Sequence, residues 1–420
     1  LRIIVLIYSS MYVHSPMTFA ASVLTQVRIV AKHGNSGVSC LVYAVYGVLL
    51  GGILGDVKGS YQYGQLALRL LEHPDAVSVR AQATHTVAAL TMHWGEHLRN
   101  GCATLHEAFQ LGVETGELEY AGYAAQVGCE YDFLRGAELA TTCDLMDRYA
   151  DAMARYNQDI PAICHGSWRQ TAHNLHRPTA EPSKLIGDAY DERVMLDAHR
   201  ESGVLMALAN AYVCKIMLAY LFGEYDDAIA YSEETAPYME TIQGQMSVPA
   251  YLFFSSLARL AKAGDDSNSD KLLKKVGKDL KTLQKFADAA PMNFRHKVLL
   301  VEAERARVAK EPYRAQELYD ESIRLARKEE FLSDEALALE IAGRFFVGSG
   351  RDDAARHYLH DARYAYERWG AGTKVADLDG RYPQYLAQEK AAGTRDLIGR
   401  TAATRTGTAS SGALDLTTVL

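Results

Sequence analysis

Along this chain apolar residues return every three or four positions almost without interruption, and the strict alternation of a half-buried strand is nearly absent. Glycine followed by a charged residue punctuates the pattern at Gly55-Asp56, Gly116-Glu117, Gly223-Glu224 and Gly350-Arg351. A glycine just past a helix supplies a left-handed C-terminal cap, and an acidic residue after it suits the positive end of the next helix. Within "LAYLFGEYDDAIAYSEETAPYM", Gly223, Tyr225, Ala228 and Pro237 follow the rhythm of a tetratricopeptide helix pair, in which small Ala228 lets two helices approach. Weaker echoes stand at Tyr313 and Ala315, and at Gly350, Ala355 and Ala362. The 40 positions from Ala315 to Ala355 exceed the usual repeat of about 34 residues. The pattern predicts an all-α fold: a superhelical array of antiparallel helix pairs, a degenerate tetratricopeptide-like α-solenoid with long helices that coils on itself.

At 420 residues the chain exceeds one ordinary compact core, which suits such an array. The most proline-rich interruption, "HRPTAEPSKLIGDAYDE" (His176–Glu192), divides an N-terminal helical half, residues 1–180, from a C-terminal one, residues 190–390. "KAGDDSNSD" (Lys262–Asp270) is a loop by composition, and from Ala391 the period is lost in a flexible linker, residues 391–420. The opening "LRIIVLIYSSMYVHS" lacks the features of a cleaved leader and reads as a buried helix of a chain cut from something larger. The longest apolar run, "VYAVYGVLLGGILG", falls short of the roughly 20 residues of a membrane span. Its glycines and tyrosines fit close helix packing, so no membrane insertion is expected, and the scattered cysteine spacing suits a cytoplasmic location.

Composition narrows the function. With 48% hydrophobic and 23% charged residues the chain is a folded protein, and its formal charge of −8 offers nucleic acid no basic face. Six cysteines without a C-x-x-C spacing read as reduced thiols. His93 and His97 in "HWGEH" share a helical face as metal ligands can, but Glu96 adjoins the second histidine where a zinc protease needs it beside the first. "CHGSWRQTAHNLH" offers Cys164, His165, His173 and His176 without an orienting group. "WGAGTKV" lacks the four-residue spacer of a phosphate loop, and Thr373 precedes Lys374 where it should follow. Each of these reads as structural, so no catalytic residue, metal or cofactor is assigned to the chain itself.

Two stretches carry candidate interaction residues. In "KLLKKVGKDLKTLQKF", Leu273, Val276, Leu280 and Leu283 make an apolar stripe, and Lys271, Lys274, Lys275, Lys278, Lys281 and Lys285 form the other face. That face is either a docking surface for an acidic partner or a solvated exterior. In "APMNFRHKVLLVEAERARV" (Ala290–Val308), Pro291 suits a first turn, and apolar residues gather on two flanks, as an interior helix of a stack requires. Arg295 lines up with Glu302 and Lys297 with Glu304, while Glu302–Arg305 and Glu304–Arg307 are spaced for ion pairs. Asn293 and His296 have no place in that pairing and stand as interaction candidates, with holding the preceding loop as one candidate role. The aromatic-rich "YQYGQ" and "FFSSL" segments are candidates for lining a small-effector pocket.

Several long blocks occur here in one order: "HGNSGVSCLVYAVYGVLLGGILGDVKGSYQYGQLALRLLE", "LGVETGELEYAGYAA", "YLFGEYDDAI", "APMNFRHKVLLVEAERARV" and "YAYERWGAGTKVADLDGRYPQYL". Together they resemble the central tetratricopeptide/MalT-like helical region of large multidomain bacterial signalling proteins. Ser60 and Ser255 depart from that family's usual glycine and aspartate. The resemblance implies a serine/threonine kinase domain and an AAA-type ATPase ahead of the region, with a GAF domain and a sensor histidine kinase after it. It further implies that ATP and magnesium belong to neighbouring domains. The chain itself is then a non-enzymatic regulatory solenoid whose partners are those domains, another protein or a small effector.

Overall fold

The computed structural model describes residue 11 and residues 15–264 and 269–386. The expected linker at 391–420, the opening stretch through residue 10 and the middle of the 262–270 loop lie outside the described residues.

Among the described residues the regular structure is helical, apart from one isolated bridge between Ile186 and Asp191. The described helices open with α1 (Pro16–His33), α2 (Ser39–Val48) and α3 (Val57–Leu70), α2 running on into a π turn at Leu49–Ile53. A layered series follows: α4 (Arg80–Leu90), α5 (Leu98–Thr115), α6 (Leu118–Leu134), α7 (Leu139–Arg155) and α8 (Asp159–His176). After the proline-rich stretch come α9 (Glu192–Ser202), α10 (Leu205–Leu221), α11 (Tyr225–Thr235), α12 (Ser247–Lys262) and α13 (Ser269–Ala289). The last group is α14 (Pro291–Val308), α15 (Pro312–Lys328), α16 (Leu332–Gly348), α17 (Asp352–Trp369), α18 (Gly372–Arg381) and the short α19 (Pro383–Leu386).

From α4 to α17 the helices alternate between two layers. The even-numbered ones are buried nearly all round: Leu208–Leu221 of α10 and Ala121–Leu134 of α6 show hardly a solvent-facing position. The odd-numbered ones bury a single stripe, such as Ala315, Tyr319, Ile323 and Ala326 of α15. This difference is written in composition, because a helix apolar on all sides must be enclosed and an amphipathic one must lie outside. Successive inner helices touch, and α18 returns to pack on α8, so the superhelix curls back on itself. One hydrophobic core runs from Ala88 to Leu386, across the proline-rich stretch at 176–192, and a smaller one joins α1, α2 and the turn at Pro74–Val79.

The repeat residues behave unevenly. Ala228, Ala315, Ala355 and Ala362 are fully buried where hairpin partners approach, whereas Tyr313 is 83% exposed. All four predicted glycines take positive φ, between 68° and 82°. Of the three acidic residues after them, Asp56 serves the next helix as expected, and Glu117 and Glu224 do different work. Asp56 accepts from Gly59 N at 2.9 Å and caps its own helix, α3. The Glu117 carboxylate instead accepts from Ala81 N and Gln82 N and caps α4, while that of Glu224 takes Ser183 and Lys184. No helix among the described residues is long and apolar enough to cross a membrane.

Candidate functional site

The inner helix α14 begins with Pro291, whose fixed φ and missing N–H suit a first turn. Two residues on, Asn293 is fully buried and makes three hydrogen bonds to a turn some 195 positions earlier in the chain. Its Oδ1 accepts from Leu98 N at 2.9 Å, and its Nδ2 donates to the carbonyls of His93 (2.9 Å) and Glu96 (2.7 Å). Asn293 therefore holds a distant loop, not the preceding one considered from the sequence. Beside it His97 Nε2 lies 2.7 Å from the carbonyl oxygen of Glu329 at the end of α15. The start of α5 is thus pinned to the last third of the chain.

One turn further, His296 Nε2 sits 2.8 Å from Asp334 Oδ2, and Lys297 Nζ donates to the same oxygen. Lys297 also lies over the rings of Phe253 and Phe331, at 5.0 and 5.4 Å. Burial pushes the Asp334 carboxyl up, but the Lys297 charge and the His296 hydrogen bond outweigh it and hold the group below the usual carboxylate range. Burial pushes the His296 imidazole down, so it is neutral at pH 7. With its side chain 2% exposed, this histidine is enclosed in the core, and the triad joins α14 to the start of α16. The expected Lys297–Glu304 alignment is replaced by the Asp334 pair. Glu304 instead pairs with Arg307, as its spacing predicts, and accepts from the Tyr319 hydroxyl.

A polar group of similar kind closes the array further along. Lys374, from the stretch that resembles a phosphate loop, is completely buried; its ammonium donates to Leu221 O at 2.7 Å, and to Glu340 and Asp377. Glu340 also accepts from Tyr366. Arg344 lies between the hydroxyls of Tyr220 and Tyr225 at the edge of a cleft of about 380 Å³ that Arg307 and Glu304 share.

On the outer layer, Lys271, Lys274, Lys278, Lys281 and Lys285 of α13 are exposed, whereas Lys275 is half-buried in an ion pair with Glu233 at 2.6 Å. Beneath them Asp279 pairs with the buried Arg259. The lysine row is therefore a continuous cationic face on a helix whose opposite stripe is committed to the core.

The remaining candidates are dispersed. His93 is buried against Trp94 and Tyr131, apart from His97 and its carbonyl. His165 Nε2 is held 2.9 Å from Met146 O, His173 by Asp147 and His176 by Gly370 O. Burial lifts the Cys164 thiol to about 12. Neither "YQYGQ" nor "FFSSL" lines the apolar cavity between α1, α4 and α6, although Phe254 borders a 30 Å³ void beside Lys297 and Asp334.

That cavity, of about 110 Å³, was not legible in the sequence. Its walls come from α1, α2, α4, α6, α10 and the turn ahead of α12. Behind it lies a buried polar chain. Gln126 Nε2 donates to Glu130, whose Oε1 is 2.6 Å from Ser247 Oγ; Ser247 in turn is 3.1 Å from Asn210 Oδ1, and Trp168 Nε1 donates to that oxygen. A single hydroxyl hydrogen cannot serve both neighbours of Ser247. A protonated Glu130 donating to Ser247 resolves the conflict, in keeping with burial raising this carboxyl to about 7.

No family model matches the chain. A stretch of 158 residues, 37% of the chain, is 25% identical to the hybrid signal transduction histidine kinase G of Dictyostelium discoideum, of which it spans 5%. Among solved structures, a circular tandem repeat protein with novel repeat topology and enhanced subunit contact surfaces aligns over 95% of this chain and 99% of its own. That alignment has 12% identity and a TM-score of 0.19, too low for a comparison of folds.

Proposed function

We propose that the chain is a non-enzymatic regulatory and protein-interaction solenoid within a larger signalling protein, coupling an ATPase module ahead of it to sensor and histidine-kinase modules after it. The observation that carries this reading is the partial similarity to a signal-transduction histidine kinase, found on a chain built of paired helices. Geometry adds a means of coupling. A simple solenoid passes a disturbance from neighbour to neighbour. Here Asn293, His97 and Lys374 tie turns more than 150 positions apart, so a shift at one end strains contacts at the other directly. The α13 lysine face supplies a docking surface for an acidic partner or a neighbouring domain, while ATP and magnesium are used by those neighbours in the cytoplasm.

The decisive experiment replaces residues 51–386 by a flexible linker of matched reach in the longer protein that carries them. Kinase output is expected to lose its response to ATP or signal. An unchanged response overturns the proposal.

A further inference from the structure

We propose that the cavity lined by α1, α2, α4, α6 and α10 binds an uncharged, planar heteroaromatic molecule of about nucleobase size, with hydrogen-bonding groups on its edge. The site is independent of the coupling role above. Its volume of about 110 Å³ compares with the roughly 10–15 Å³ that one water needs, so a ring-sized molecule fits. Phe19, Val45, Val48 and Met206 supply apolar walls. No lysine, arginine, aspartate or glutamate lines it, so a phosphate or carboxylate would be buried without a counter-charge.

The polar groups define the edge chemistry. His85 is 9% exposed, and its Nδ1 has no hydrogen-bond partner. A buried nitrogen left open in this way is costly, and a ligand atom would satisfy it. The rings of Tyr120 and Tyr123 lie 5.9 and 6.0 Å from the imidazole, which forms an aromatic surface on one side. Gln82, Gln126 and Gln245 also line the space. Their Nε2 groups are engaged by Tyr120, Glu130 and Met206 Sδ, while their carbonyl oxygens remain available as acceptors. Acceptors from three amides, a neutral imidazole and aromatic walls favour a flat molecule carrying N–H groups over an aliphatic or an ionic one. Leu90, Tyr120 and Tyr123, which are half-buried where the other lining residues are buried, mark the entrance.

The test titrates the intact protein calorimetrically with adenine, hypoxanthine, nicotinamide and uracil. Adenosine monophosphate and benzoate serve as charged controls, and naphthalene as an apolar one. At least one heteroaromatic is expected to bind saturably, about tenfold or more tighter than every control. His85→Leu is expected to weaken it about tenfold, the size of one lost hydrogen bond. Ala89→Phe, which fills the cavity, is expected to abolish binding while helical circular dichroism persists. If that variant does not fold, methyl resonances of Val45, Val48 and Met206 in the native protein take its place, and they are expected to shift on titration. The proposal is overturned if no heteroaromatic binds at millimolar concentration, if a control binds as tightly, or if binding leaves those methyls and the His85→Leu affinity unchanged.

Discussion

Asn293 satisfies two backbone carbonyls and one backbone N–H that would otherwise be buried without partners. Asn293→Ala is expected to cost about 2–4 kcal/mol in urea unfolding, since each orphaned group carries a penalty of about 1–3 kcal/mol. Histidine burial makes stability pH-dependent. His85, His93 and His165 are held neutral by burial, which pushes them down to about 4, 3 and 4. Between those values and the ordinary 6.5 the unfolded chain binds protons that the folded chain refuses. Stability therefore falls as pH drops through that window, by at most about 1.4 kcal/mol per pH unit for each histidine. Glu130 acts in the opposite sense: with its carboxyl raised to about 7, the folded state takes the proton first, and stability rises from pH 7 toward 4.5. Three groups outweigh one, so Tm is expected to drop between pH 6.5 and 4.5, and more steeply in Glu130→Gln. A flat Tm profile over that range would contradict the burial of neutral histidines.

Helices α13 and α6 illustrate the element scale. The apolar stripe of α13 was plain from leucine spacing, and so was its lysine face; the ion pair that takes Lys275 out of the exposed row was not, because Glu233 lies on α11. Lys274→Glu, Lys278→Glu and Lys281→Glu together are expected to change stability by less than about 0.5 kcal/mol per site. Retention of an acidic partner in a pull-down should be lost in the same triple variant, and undiminished retention would show the face to be mere exterior. Where α6 ends, Gly136 has a φ of 76°, and a Cβ there would stand 2.5 Å from Ser333 N at the head of α16. Gly136→Ala is thus expected to destabilise by more than the roughly 1–2 kcal/mol of left-handed strain alone, measurable as a lowered urea midpoint. Turns after α14 and α15 escaped notice for a related reason: Lys310 and Glu330 take positive φ there without a glycine to announce it.

At the level of the whole molecule, the inner helices form one core in which early and late segments pack together. Phe133 meets Trp369 at a ring separation of 5.8 Å, and Thr373 donates to Arg177 O at 2.9 Å. Residues 15–180 and 190–386 expressed separately are expected to bind a hydrophobic dye and to unfold with shallow, weakly cooperative transitions. Mixing them should restore one steep transition by circular dichroism. Two independently cooperative fragments would show that the ties across the array contribute little.

Helix content, the inner and outer layers and the lysine stripe follow from periodicity, because which side of a helix is apolar is a local property of a few turns. The closure of the array is not local. Asn293 and His296 stood out as polar residues without a partner at helical spacing, yet their partners, the 93–98 turn and Asp334, lie 195 to 200 and 38 positions away. The cavity at His85 draws its walls from positions 19 to 245. Spacing along a chain carries no information about such meetings; they arise only when packing brings distant turns within hydrogen-bonding reach.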